Sequence, residues 1–316
     1  MDCANVGSSL LLWKTMSKKP ILLTIAGFDS GCGAGVVADV CTARVLGAYG
    51  LVAQTCITVQ NTTGIRNIFP IPEKIVQEQI EALFEDFDIS AVKIGVLYSR
   101  GIASIVSSCL ERFNPKFIVL DPIIESSSGT LLSNNAALEL ICEKIIPICS
   151  VVTPNFSELC KLLRLLGKPK LADALECSES RIHLEDLYAK VSKFFLNSNL
   201  PAFFVKGGHL PASVLRSPKK KQLTHFDALF SNGSVDIFEQ EFVNTDNSHG
   251  TGCALSTALS VELSRNITLL QAVKKAQEFV FQSILLARES NFGSGNCSVE
   301  HFVPNYLLKY HLKGKL

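Results

Sequence analysis

The sequence predicts an α/β fold in which helices cover both faces of a mostly parallel central sheet. Two observations support this prediction. Short apolar segments that suit buried strands alternate along the chain with segments of helical spacing, and the connections are long enough for crossover helices. No linker rich in Pro, Gly or Ser divides the chain, so residues 21–316 are expected to form one domain.

The expected strands are short and apolar, as strands covered on both faces should be. The first covers residues 21–26, and the last two form a hairpin from DALFS and VDIFEQEF. The other expected strands cover residues 51–59, 91–97, 117–120, 151–153 and 202–208.

The expected helices show apolar residues at intervals of three and four. In residues 73–87, for example, the apolar side chains lie on or near one face, and Thr268 is a candidate N-cap for residues 268–289. Residues 167–183 and 211–224 are interpreted as solvated surface insertions, although the second could also serve as a lid. The remaining expected helices cover residues 36–46, 100–112, 133–146, 155–166 and 253–264.

The composition excludes several classes of protein. The net charge of +1 argues against a nucleic-acid binder that relies on a basic surface, and no apolar run approaches the ~18 residues of a membrane span. The eleven cysteines are scattered without a CxxC pair or zinc-type spacing, which indicates reduced thiols in a cytoplasmic protein. Residues 1–20 do not match a secretory signal. We expect either that they form a flexible leader or that the start of the chain is misassigned.

Several loops that follow the predicted strands carry residues suited to ligand binding, because ligands of such sheets lie beyond the carboxyl ends of the strands. Residues 27–35 contain four glycines, which let backbone approach a ligand, although a tight turn also explains them. The following residue is Val36, so this is not the dinucleotide fingerprint. Gln60 and Asn61 could read the donors and acceptors of a heterocycle, or form an ordinary turn.

Two later loops are also open to two interpretations. Asn155 and Glu158 have the spacing of a helix cap, and they equally suit a weak oxygen site for hydrated Mg²⁺. Lys206, Gly207 and Gly208 suit a phosphate group or another turn.

The segment Gly250-Thr251-Gly252-Cys253 begins an apolar helix. Free backbone N–H groups at a helix start bind anions, and the glycines leave room for one. The same helix start is expected to lower the pKa of the Cys253 thiol, which could then act as a base. The alternative is a small buried cysteine that only packs.

Taken together, these segments resemble the ribokinase-like superfamily, a three-layer α/β sandwich, and within it the hydroxymethylpyrimidine/phosphomethylpyrimidine kinases of thiamine biosynthesis. The resemblance extends from Ile21 to about His301, and the order and spacing of the segments are those of the family. The matching stretches are TIAGFDSGCGAG, LGAYG, QNTTG, KIGVL, LDPII, TPNFSE, VKGGH and HGTGC.

The resemblance implies an ATP-dependent phosphotransferase that acts on a small pyrimidine alcohol and its monophosphate, with Mg²⁺, in a cytoplasmic homodimer. It places Cys253 as the catalytic residue beside an anion hole of Gly250, Thr251 and Gly252. On the substrate side it implies roles for Gln60, Asp29, Gly27, Val96 and Ile123. On the nucleotide side it implies roles for Lys206, Gly207 and Gly208, with Asn155 and Glu158 at the Mg²⁺–phosphate motif.

Some positions depart from the family pattern. Gly31 and Cys32 replace the usual Ser and Gly of the first loop, and Cys41 replaces a usual Lys. Asp246 stands where the family usually has Lys, near the expected phosphates. These departures keep two alternatives open: a pyridoxal kinase, since pyridoxal also carries a hydroxymethyl arm on a flat ring, and a non-catalytic ligand-binding relative.

Overall fold

A nine-stranded sheet forms the centre of the protein. The computed structural model describes residues 19–126, 129–208, 210 and 224–306. The strands of this sheet are β1 (Ile21–Asp29), β2 (Tyr49–Asn61), β3 (Gly64–Pro70), β4 (Ala91–Ile94), β5 (Ile118–Leu120), β6 (Val151–Val152), β7 (Ala202–Val205), β8 (Thr224–Ser231) and β9 (Ser234–Glu241).

Helices cover both faces of the sheet and complete the expected three-layer sandwich. One face packs against α1, α8 and α9, and the other packs against the remaining helices. The helices are α1 (Gly35–Val45), α2 (Glu73–Asp86), α3 (Arg100–Phe113), α4 (Asn135–Leu140), α5 (Phe156–Leu165), α6 (Pro169–Glu176), α7 (Arg181–Asn197), α8 (Thr251–Leu263) and α9 (Leu269–Ala287). A π turn, Ile141–Ile145, and a 3-10 turn, Ile146–Ile148, extend α4.

The order of the strands places a crevice at one edge of the sheet. The order is β3-β2-β1-β4-β5-β6-β7-β8-β9, and all neighbours from β2 to β7 are parallel. Strand β1 lies between β2 and β4, so the chain moves first to one side of β1 and then to the other. Such a switch point opens a crevice at the carboxyl ends of the strands.

The alternation of side chains along β1 shows how the two layers are joined to the sheet. Leu23 and Ile25 point into the larger apolar cluster, and Leu22 points into the smaller one on the opposite face. Because strand side chains alternate, one apolar strand serves both cores. The buried position of Lys93 in β4 is an exception to this apolar pattern.

The structure corrects the prediction for residues 167–183. They are not a loose insertion, since Pro169 starts α6 and Ser180 caps α7 by accepting a hydrogen bond from the His183 N–H. Buried Ala172 and Leu175 attach α6 to the core. The polar residues between the apolar positions concealed this short amphipathic helix.

Two further elements were not predicted. Strand β3 pairs antiparallel with β2 through the turn after Asn61. Helix α7 extends from the end of the predicted insertion over residues 184–197, which had no assignment. The predicted late hairpin and the Thr268 cap are present. Most of the predicted leader lies outside the described residues. So does almost all of the predicted insertion at 211–224. Within the described ranges, no helix is long and apolar enough to cross a membrane.

Candidate active site

A cavity of about 230 Å³ lies at the carboxyl edge of the sheet. Its walls come from the ends of β1, β2, β4, β5, β6 and β7 and from the start of α8. These strand ends are distant in sequence and meet here because the strands between β2 and β7 are parallel. The predicted site residues that line it are Gly27, Asp29, Gln60, Val96, Ile123, Asn155, Glu158, Lys206, Gly208, Gly250, Thr251, Gly252 and Cys253.

Of the predicted site residues, all of which lie in the described part of the chain, Gly207 alone does not line the cavity. Its N–H donates to Asp227 Oδ1 at 2.8 Å, and a Cβ on Gly207 would overlap the carbonyl oxygen of Phe226. Gln277 Nε2 donates to the other oxygen of Asp227 at 2.7 Å. Gly207 therefore anchors the turn that presents Lys206 and Gly208, rather than facing a ligand itself.

The glycine-rich loop after β1 is joined to the start of α8. Gly250 has a φ of +84°, and a Cβ on it would overlap the carbonyl oxygen of Gly33. Only glycine combines this left-handed conformation with so close an approach. The contact brings two segments 217 positions apart in the sequence into one wall.

A buried carboxylate reinforces this junction. Asp29 accepts hydrogen bonds from the backbone of Gly31 at 2.8 Å and of Ala34 at 3.0 Å, and its Oδ2 lies 2.9 Å from His249 Nε2. Burial acts to raise the pKa of Asp29, but the hydrogen bonds from His249 and the backbone outweigh it, so the pKa is lowered. Asp29 thus holds the loop as an ionised carboxylate.

One polar side chain is positioned to contact a heterocycle at the substrate end. Gln60 lies against His249, with its Nε2 3.2 Å from His249 Nε2, and Thr58 Oγ1 lies 3.1 Å from Gln60 Oε1. Val96 and Ile123 give this end an apolar wall. The combination of one fixed amide and apolar neighbours suits a flat heterocycle.

Opposite charges meet at the other end of the cavity. Lys206 Nζ donates to Asp121 Oδ1 at 2.8 Å. A Cβ built on Gly252 would lie 3.2 Å from Lys206 Nζ and 3.4 Å from Asp121 Oδ2, so the start of α8 faces this ion pair directly. Burial opposes the charge on Lys206, yet Asp121 and Glu158 outweigh it and raise the pKa of Lys206. This end is suited to an anion.

Asn155 and Glu158 form the capping arrangement that the sequence allowed. Asn155 Oδ1 accepts from the Glu158 N–H at 2.8 Å, and Glu158 Oε2 accepts from the Asn155 N–H at 2.7 Å. Burial raises the pKa of Glu158 to about 7, against the lowering effect of Lys206. The cap does not exclude the second interpretation, since both residues also line the cavity.

The donor set is compatible with a hydrated Mg²⁺. The described part of the chain contains no group of three or more His, Cys, Asp or Glu residues that could hold a metal. Mg²⁺ keeps several waters and is usually bound through one or two carboxylates together with substrate phosphates. Glu158 and Asn155, beside the anion-binding end, fit that mode of binding.

The predicted low pKa of Cys253 is wrong. Cys253 lies in the first turn of α8, as expected, but burial raises the pKa of its thiol to about 11. Lys93 and the Gly35 N–H lower the pKa, and Asp39 and Asp121 raise it. Desolvation of the thiolate therefore exceeds the effect of the helix start.

The cavity also contains residues to which the sequence analysis gave no role. Lys93 and Asp121 both line it, and so does His249, whose Nε2 lies 2.9 Å from Asp29 Oδ2 and 3.2 Å from Gln60 Nε2. The signal for Lys93 was a single charge inside the otherwise apolar strand AVKI. The signal for Asp121 was its place directly after the predicted strand 117–120, within the segment LDPII.

Comparisons with known proteins show which family the chain belongs to. The profile of the phosphomethylpyrimidine kinase family matches residues 29–300. A hydroxymethylpyrimidine/phosphomethylpyrimidine kinase of Rhizobium meliloti is 33% identical over 282 residues, covering 89% of this chain and 97% of the relative. This chain belongs to the phosphomethylpyrimidine kinase family.

Solved structures extend the comparison to the fold. Phosphomethylpyrimidine kinase from Clostridium difficile has a TM-score of 0.67 and 29% identity, covering 84% of this chain and 100% of that one. Pyridoxal kinase from Staphylococcus aureus, in complex with AMP-PCP and pyridoxal, has a TM-score of 0.74 and 23% identity, covering 92% of this chain and 96% of that one. At that identity, the second likeness is evidence for the fold alone.

One departure from the family pattern has a structural consequence. Cys32 stands where the family usually has glycine, and its φ is +59°. The left-handed conformation costs a residue with a Cβ about 1–2 kcal/mol. The first loop therefore keeps, at Cys32, a backbone conformation that favours glycine.

We expect Cys32→Gly to raise the free energy of unfolding by about 0.5–1 kcal/mol, because the relief of strain exceeds the extra freedom of glycine in the unfolded chain. Urea unfolding followed by circular dichroism measures this. Cys32→Ala is the matched control, because it removes the sulfur and keeps the strain. Equal stabilisation by both variants would show that the sulfur, and not the backbone, is responsible.

The pKa of Cys253 gives a second prediction. Alkylation of Cys253 by iodoacetamide, followed by mass spectrometry of its peptide, should accelerate about tenfold for each pH unit between about pH 7 and pH 9, since only the thiolate reacts. A rate that levels off below about pH 8 would instead indicate a pKa near the ordinary value or lower.

Proposed function

We propose that this protein transfers the γ-phosphoryl group of ATP to 4-amino-5-hydroxymethyl-2-methylpyrimidine and then to its monophosphate, in thiamine biosynthesis. The observation that carries the proposal is the cavity itself. It joins an amide suited to a heterocycle, Gln60, to an anion-binding helix start that bears Cys253. The names of the matched relatives support the same reaction.

On the substrate side, Gln60 would orient the pyrimidine. A carboxamide offers one acceptor and one donor side by side, which complements an amino group next to a ring nitrogen. Val96 and Ile123 would hold the faces of the ring, so the hydroxymethyl arm points toward the start of α8.

On the nucleotide side, the backbone N–H groups of Gly252 and Cys253 would hold the transferred phosphoryl group, since the Thr251 N–H already donates to the Ser248 carbonyl oxygen at 3.3 Å. Lys206 would contact the phosphates, with Asp121 fixing its position. Asn155 and Glu158 would hold a hydrated Mg²⁺, which when bound neutralises phosphate charge. Positioning and electrostatic stabilisation supply most of the catalysis in phosphoryl transfer.

Cys253 would take the proton of the substrate hydroxyl. The new bond joins the hydroxymethyl oxygen to the γ-phosphorus, the bond from that phosphorus to ADP breaks, and the hydroxyl proton passes to the Cys253 thiolate. The thiol later returns the proton to solvent. Because its pKa is about 11, the thiolate is a minor species at neutral pH, so this step should gain rate as the pH rises.

The proposal extends to assembly and location. We infer a homodimer that works in the cytoplasm, on the basis of the family resemblance and the unpaired cysteines found among the described residues. Sedimentation of the purified protein tests the first inference, and cell fractionation tests the second.

Incubation of the purified protein with Mg·ATP and one candidate alcohol at a time tests the function. We expect ADP release and a product mass increased by one phosphoryl group with the pyrimidine alcohol, and a second increase on longer incubation. Pyridoxal serves as the comparison substrate. A higher kcat/KM with pyridoxal would identify a pyridoxal kinase, and tight binding without turnover of any alcohol would identify a non-catalytic relative.

Cys253→Ala should lower kcat by about 10²–10⁴-fold while the KM values change little, because it removes the proton acceptor and leaves the binding groups. The pH-dependent rise in rate should disappear with it. Cys253→Ser is the matched control for size. A variant that kept the full rate would show that another group takes the proton.

Asp246 offers a test of the nucleotide side. Its side chain is exposed, and its carbonyl oxygen accepts from the Ser248 N–H at 2.9 Å, so it lies two residues before the cavity wall. Asp246→Lys should lower the KM for ATP about three- to tenfold with little change in kcat, because a repulsive charge becomes attractive.

The neutral variant Asp246→Asn should fall between the two, and added salt should reduce all the differences. An unchanged KM in both variants would place Asp246 away from the bound phosphates.

A further inference from the structure

Lys93 is a charged residue in the middle of an apolar strand, and its side chain is 0% exposed. Its ammonium donates to Asp39 Oδ2 at 2.8 Å. A buried ion pair of this kind rarely adds stability over apolar residues of similar volume. The core of the sheet therefore provides no reason by itself for a lysine at this position.

Asp39 is held from three sides. Thr24 Oγ1 donates to its Oδ2 at 2.5 Å, and Thr257 Oγ1 donates to its Oδ1 at 2.8 Å. These bonds, together with the one from Lys93, connect β1, β4 and α8 to α1. Asp39 is thus a fixed support that determines where the Lys93 ammonium lies.

This support places Lys93 close to Cys253. Thr257 follows Cys253 by four residues, so the two side chains share one face of α8 a single turn apart. Thr257 and Lys93 meet at the same carboxylate. Lys93 and Cys253 also line the same cavity.

The Lys93 ammonium has hydrogen-bonding capacity to spare. It carries three N–H donors, and Asp39 is its single hydrogen-bond partner among the described residues. A fully buried ammonium that borders a cavity with unused donors can serve a negative charge formed there.

We propose that Lys93, held in place by Asp39, is a positioning residue that stabilises the negative charge on Cys253 Sγ, the atom that accepts the hydroxyl proton. This inference rests on the proposed proton transfer to Cys253. In that step the S–H bond forms as the hydroxyl O–H bond breaks, and Lys93 keeps its own proton throughout.

Burial and two carboxylates raise the pKa of Cys253, and Lys93 acts against them. Lys93 is the largest influence that lowers the pKa of Cys253, and burial is the largest that raises it. The Gly35 N–H at the start of α1 also lowers the pKa of Cys253, because it donates a hydrogen bond to the sulfur. The charged side chains that act on it are Lys93 from β4, Asp39 from α1, Asp121 after β5 and Lys206 after β7.

The variant Lys93→Met tests the proposal, because it removes the charge and nearly keeps the volume. Alkylation of Cys253 by iodoacetamide at about pH 8 should slow on the order of tenfold, the change that one pKa unit produces. The pH profile of kcat should move to higher pH in parallel. The thiol measurement needs no turnover, so it remains informative if the proposed kinase activity fails.

Cys56 is an internal control in the same protein. It lines the same cavity, and burial raises its pKa to about 11 as well, but Lys93 is not among the groups that shift it. Its alkylation should therefore be unchanged in Lys93→Met. If Cys56 slows as much as Cys253, the variant has altered access to the cavity and the proposal is overturned.

A second variant guards against misfolding caused by an unpaired Asp39. Lys93→Met combined with Asp39→Asn removes both charges and should still slow Cys253 alkylation, by less than the single variant, because Lys93 acts more strongly on the thiol than Asp39 does. Circular dichroism confirms the fold. Cys253 alkylation within about twofold of the parent rate in a folded variant would overturn the proposal.

Discussion

The close contact between Gly33 and Gly250 is the constraint on which the site depends. It joins the loop after the first strand to the start of α8, near the other end of the chain. Asp29 reinforces the junction by binding its own loop and His249 together. Gln60, at the end of β2, and Cys253, in the first turn of α8, line the same cavity on the two sides of this contact. The carboxyl edge of the parallel sheet supplies the remaining walls, and this one junction converts an open edge into a cavity.

Desolvation governs the chemistry inside that cavity. Burial raises the pKa of Cys253 to about 11 and of Glu158 to about 7, even though a helix start and two lysines lie nearby. The lysines remain charged because each has a carboxylate partner, Asp39 for Lys93 and Asp121 for Lys206. The cavity therefore offers lysines that stay charged and fixed in position despite their burial.

The sequence predicted the layers and most strands from apolar periodicity. All but one of its candidate site residues line the cavity, since the polar and glycine residues directly after strands and the family resemblance both pointed to the strand ends. It did not predict α6 and α7, whose short or interrupted apolar faces resemble a surface loop until packing is known. It also missed the direction of the Cys253 pKa shift. The helix start is visible in the sequence, whereas the depth of burial and the neighbouring Asp39 and Asp121 arise from tertiary structure.

A thiol with a high pKa is compatible with phosphoryl transfer and has one physical advantage over a carboxylate. A fixed negative charge beside the triphosphate would repel the ligand, and the repulsion grows in a desolvated site. A thiol that is mostly protonated avoids that cost in most molecules, and the minor thiolate form, whose proton has already passed to solvent, accepts the hydroxyl proton. In a loose transition state the attacking hydroxyl needs little prior deprotonation, so a base is required only as the new bond forms. Lys93 then matters at that moment, since it favours the anionic sulfur without adding negative charge to the nucleotide site.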